Sequence, residues 1–138
     1  MALSSNSKVA LGALAAIHLV ATLWHAGAHT ELAIGLPPSK LAYVYAVIVI
    51  SPPVAAALLW TRFETGALWL FTLAMLGSLL FATYHHYILV SPDNIAHLPD
   101  GSDAAHARFV ESAGISALLE LGSALYGAYV LGGARRGT

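Results

Sequence analysis

The sequence predicts an all-α integral membrane protein, a four-helix up-and-down bundle, and three observations point there. Of 138 residues, 58% are hydrophobic and only 9% charged, where an ordinary soluble domain carries about a quarter charged. The mean hydropathy is +0.73. Four windows each approach the roughly 20 apolar residues needed to cross about 30 Å of hydrocarbon. The same composition excludes other classes. Lys+Arg 6 against Asp+Glu 7 gives a net charge of -1, so there is no basic field for nucleic acid. The absence of cysteine removes disulfides, thiolate metal sites, covalently attached haem and cysteine nucleophiles. Histidine, at seven residues, outnumbers Lys+Arg, and that imbalance calls for a functional reading.

The expected spans are Val9 to Ala28, Leu41 to Trp60, Gly66 to Val90 and Ser112 to Gly132. They form a single domain with no room for a soluble one. The first span resembles a signal peptide in having Lys8, an apolar run and Ala26-Gly27-Ala28. Its apolar stretch is longer than such regions usually are, and it carries histidines, so a retained helix is expected. The second span contains Ser51-Pro52-Pro53, where two missing backbone donors predict a kink. The fourth helix is expected to begin near Ser102 or Asp103, both suitable N-caps. Lys8, Arg62, Arg135 and Arg136 fall on one side, whereas Lys40 and Arg108 lie among five acidic residues on the other. The positive-inside rule therefore predicts both termini in the cytoplasm and the long third loop outside. The bilayer is the expected partner, with a homo-oligomer or a larger membrane complex as further possibilities.

Residues at i, i+4, i+7 and i+11 share a helix face, and in the first span these are His18, Thr22, His25 and His29. An ionisable group in hydrocarbon costs a few kcal/mol or more, so repeated use of one face suggests a lined cavity or a bound ion. In the fourth span His106, Val110, Ala113, Ala117, Glu120, Ala124 and Gly127 follow the same spacing, which directs Glu120 into the bundle. In the third span His85 and His86 lie about 100° apart on a regular helix. Small residues at Ser78 and Ala82 favour His85 as the inward one. From a rise of 1.5 Å per residue, His25 and His85 sit roughly 8 Å inside the outer boundary, and His18 and Glu120 roughly 13 to 16 Å. These residues outline a polar pocket open to the extracytoplasmic side and closed beneath. The loop Ser91 to Gly101, with Asp93 and His97, is long enough to fold back over it as a lid.

His25-x-x-x-His29 places two imidazoles one turn apart, able to chelate one ion. With His85, His86, His106 or Glu120 completing the sphere, the donor set suits Zn, Cu or Fe. This gives the first expectation, a histidine-rich transition-metal pocket used in metal handling or in a metal-dependent redox or accessory role. A second is a small cytochrome-like subunit with one b-type haem between His25 and His85, which lie at equal depth. A third is a non-catalytic packing subunit of a larger membrane enzyme, its histidines hydrogen-bonding between helices. Should there be chemistry, His18 and Glu120 are the candidates for a proton relay.

Overall fold

The computed structural model of the protein describes residues 3–136. The chain is 79% helix, with no strand among the described residues. Four helices account for it: α1 (Ser5–Glu31), α2 (Pro38–Leu58), α3 (Glu64–Ile88) and α4 (Asp103–Arg136). All four are long and apolar enough to cross a membrane. They extend past the apolar windows where polar residues can continue the backbone ladder. Thus α4 starts at Asp103, with the Ser102 side chain accepting from Ala105 N at 3.1 Å. The second and third helices stop about two residues earlier than the windows do. Thr61 Oγ1 donates to Leu58 O and accepts from Phe63 N, forming the turn after α2, and Leu89 is extended after α3.

The helices pack as a ring in chain order, α4 closing it against α1. Lipid is as apolar as leucine, so contact between spanning helices depends on close fit and on polar groups rather than on hydrophobic burial. The α3–α4 contact illustrates the fit. A side chain added at Gly127 would collide with Thr72, whose own hydroxyl is turned back onto Leu68 O.

Toward one end the interior is apolar, built from Leu11, Ala15, Leu59, Leu68, Phe71, Met75 and Leu131. At this end Lys8 pairs with Glu64 at 2.6 Å. A smaller apolar cluster of Ala28, Leu32, Ile34, Ala105 and Phe109 lies at the other end, where Arg108 pairs with Glu31. Thr72 and Ser123 lie buried beside the first cluster, and the buried histidines and carboxylates lie between the clusters and up to the loop end.

Two stretches widen from α- to π-helical geometry, Val44–Ile50 in α2 and Tyr84–Ile88 in α3. The first runs directly into Ser51-Pro52-Pro53. The proline rings clash with carbonyls one turn back, and the backbone opens so that Ser51 N–H reaches Ala46 O, five residues away. The region of the expected kink is therefore a wide turn. Of the residues counted toward orientation, the side chains of Arg135 and Arg136 lie outside the described residues.

Candidate metal centre

Near the loop end of the bundle, three imidazoles from two helices converge. His25 Nε2 lies 3.1 Å from His86 Nε2 and 3.1 Å from His29 Nε2, and the three residues each offer a nitrogen within 4.8 Å of the others. Nitrogens bound tetrahedrally to one ion at 2.0–2.1 Å stand about 3.3 Å apart, so these spacings are close to those of a shared ion. His25 and His29 meet because they are one turn apart on α1. His86 joins them from α3. Phe109 of α4 packs against all three rings, with centroid distances of 4.8, 5.1 and 5.4 Å.

Contacts behind the rings fix their orientation. His86 Nδ1 lies 2.9 Å from the Asp93 carbonyl, which can only accept, so a proton is on Nδ1, and in the neutral ring Nε2 is a bare lone pair. His25 Nδ1 lies 2.8 Å from Ser112 Oγ, which in turn lies 3.1 Å from Phe109 O. Two proton placements are open to His25. When the Ser112 hydroxyl donates to His25 Nδ1, His25 Nε2–H donates to His86 Nε2. When that hydroxyl donates to Phe109 O, His25 Nδ1–H donates to Ser112 Oγ, and its Nε2 presents a second lone pair beside that of His86. Only the second placement can ligate an ion, and no net ionisation separates the two.

Asp93 belongs to the same cluster, because the loop after α3 folds back. Ile95 N–H donates to His86 O and Asn94 Nδ2 to Leu89 O. Asp93 is 4% exposed, and its Oδ1 stands 3.2 Å from both His29 Nε2 and His86 Nδ1. These are ion-pair distances without hydrogen-bond alignment, so both carboxylate oxygens retain acceptor capacity. Burial pushes the Asp93 carboxyl up, but the His86 ring N–H and the neighbouring imidazoles outweigh it and hold the group below the usual carboxylate range.

The other candidate residues lie elsewhere. His85, expected to face inward with His25, is instead beside Lys40 Nζ at 3.3 Å, between Phe81 and Tyr84. The α3 residue meeting His25 is His86. Both rings are buried, because a π-helical turn advances by a smaller angle per residue than the 100° assumed for a regular helix. The His25–His85 haem pair is accordingly not assembled. His106 Nε2 donates to Pro99 O at 2.8 Å and braces the loop, and His97 rests on Asn94. Glu120 is paired below the cluster with His18, Oε1 to Nε2 at 3.2 Å, both almost fully buried.

Ser112, Phe109 and Lys40 were not singled out from the sequence. The expected α4 face is buried at Ala113, Glu120, Ala124 and Gly127 and fails at Val110, which is 41% exposed. Beside it a polar line through Ser112, Ser116 and Glu120 is also buried. Their i, i+4, i+8 spacing was the available signal.

The cluster lines one wall of a cavity of about 550 Å³. No protein-family model, curated protein or solved structure matches the chain.

Proposed function

We propose that this is an integral membrane protein that binds one transition-metal ion, Zn, Cu or Fe, through His25, His29 and His86. One observation carries the reading: three imidazole nitrogens from two helices meet at ligand spacing, and the partners behind two of the rings are placed to orient them. An all-imidazole set with carboxylate support suits these metals. Asp93 stands behind His86 as in carboxylate–histidine–metal arrangements. Three protein ligands leave a fourth position for water or a cavity ligand, the pattern of reactive rather than purely structural sites. The role is metal handling or metal-dependent redox or accessory chemistry.

The bundle runs up and down, with both termini cytoplasmic and the site opening to the extracytoplasmic side. Lys8 and Arg62 at one end, and Lys40 and Arg108 among acidic residues at the other, support this through the positive-inside rule. The ion pairs Lys8–Glu64 and Glu31–Arg108 support the up-and-down course, setting the start of α1 beside the start of α3 and the end of α1 beside the start of α4.

The test is elemental analysis of protein purified without a metal-affinity step. About one ion per chain is expected, lost in His25→Ala or His29→Ala while the helical fold persists. Metal-free protein, with unchanged stability in both variants, would reduce the cluster to a hydrogen-bonded contact between helices. An absorbance spectrum on the same sample tests haem, and no Soret band is expected.

A further inference from the structure

The cavity beside the imidazoles has a second polar region that the metal reading does not use. Thr22 Oγ1, Ser116 Oγ and Glu120 Oε2 are buried and have no hydrogen-bond partner, and all three residues line the cavity. Glu120 is 2% exposed and Ser116 7%. A buried polar atom without a partner costs about 1–3 kcal/mol, so three around one space mark a place where a ligand supplies the missing bonds. The remaining wall is mainly apolar and partly aromatic, including Leu41, Tyr45, Ile48 and Phe81.

The cavity opens toward the α1–α2 loop, where Thr30 and Ala33 line it and are exposed, and also on the flank of the bundle that faces lipid in the proposed orientation. Leu23, Leu41 and Tyr45 line it and are also 60%, 38% and 58% exposed on the surface of the bundle. α1 packs closely on the Ser51–Leu58 part of α2 and only sparsely on the π-helical part. The lateral opening therefore lies between the two helices where α2 widens, and it gives a molecule in the bilayer a way in. Charge narrows the choice further. An anion would meet the Glu120 and Asp93 carboxylates at low dielectric, and any full charge would be desolvated against apolar walls. An uncharged hydroxyl meets neither penalty. It can donate to Glu120 Oε2 and accept from Ser116 or Thr22.

The geometry points to a binding site for a lipid-soluble phenol or quinol, entering between α1 and α2. One hydroxyl is held by Thr22, Ser116 and Glu120, and the ring lies along the π-helical wall of α2. Binding requires no ion. The imidazole cluster lines the same space, so a quinol bound there lies beside the proposed metal.

The test uses the full chain in phosphatidylcholine nanodiscs and a p-benzoquinol bearing a decyl chain, measured as retention above empty discs. Both chelator-treated and zinc-loaded protein are assayed. The expected result is saturable retention near one per chain in both states. Decylbenzene, which lacks the hydroxyls, should bind about tenfold more weakly. Ser116→Ala should weaken quinol binding about fivefold, the loss expected for one hydrogen bond. Ile48→Trp, filling the cavity, should abolish saturable binding, whereas Leu118→Ala on the lipid face, where Leu118 is 71% exposed, should leave it unchanged. Thermal unfolding of each variant separates lost binding from lost fold. Retention no greater than in empty discs, or equal retention of quinol and decylbenzene, overturns the proposal. Quinol binding in protein that takes up no metal sinks the metal reading alone, and metal binding without quinol retention sinks this one alone.

Discussion

His25 touches both sides of the proposed centre, its Nε2 facing two other imidazoles and its Nδ1 facing Ser112. That division separates ligation from orientation experimentally. Ser112→Ala keeps all three ligand nitrogens but removes the group that positions one of them. Metal affinity is expected to fall about 10- to 100-fold without loss of stoichiometry at saturating ion, the usual consequence of losing an outer partner. Nitrogen-15 NMR of the histidines offers a readout that a packing role would not move, since the Nδ1–H form of His25 should be less populated in the variant. A separate prediction concerns Ala33, which follows α1 with φ of 51°, a left-handed conformation that costs a residue with a Cβ about 1 kcal/mol. Ala33→Gly should therefore be neutral or slightly stabilising in thermal unfolding, whereas Ala33→Val should destabilise. The α1 pair was legible because i, i+4 spacing on a regular helix leaves little freedom. His86 was legible only as one of two candidates, since the choice between adjacent histidines depends on the angle per residue, and α3 changes that angle at Tyr84.

At the scale of elements, the two π-helical stretches are where regular periodicity fails and where the site is shaped. The Pro52-Pro53 signal marked a disturbance in α2 but not its form, because a kink and a wide turn both relieve the same clash. Pro52→Ala combined with Pro53→Ala restores two backbone donors and should draw Val44–Ile50 toward α-geometry. Narrowing the cavity, it should lower quinol retention while leaving metal content unchanged. The α3–α4 contact depends on closeness instead. Gly127→Leu drives a side chain into Thr72 and should cost about 1–3 kcal/mol, the range for overpacking, seen as a lower thermal midpoint. The loop between them was readable as long and rich in turn formers, hence able to act as a lid. That its backbone would reach His86 was not readable, since Asp93 contributes a carbonyl there as well as its side chain, and a carbonyl has no sequence signature.

For the whole molecule, the four membrane-length helices were legible because roughly 20 apolar residues is a coarse requirement that local irregularities do not disturb. The interior face of α4 was legible through Glu120 and the small residues Ala113 and Ala124, while the neighbouring buried line of Ser112 and Ser116 was not. A chain without cysteine is well suited to testing the proposed orientation by introduced thiols. In intact cells Ser102→Cys should react with a membrane-impermeant maleimide and Ser4→Cys only after permeabilisation, and the opposite pattern would invert the topology. Below His18 and Glu120, the interior is the mainly apolar packing of Leu11, Leu59, Leu68, Phe71 and Met75, with Thr72 and Ser123 beside them. Hydrated ions that reach the imidazoles are therefore expected to return the way they came. Placed in a bilayer, such a bundle is expected to be proton-tight, and vesicles containing it should hold a pH gradient as long as vesicles of lipid alone.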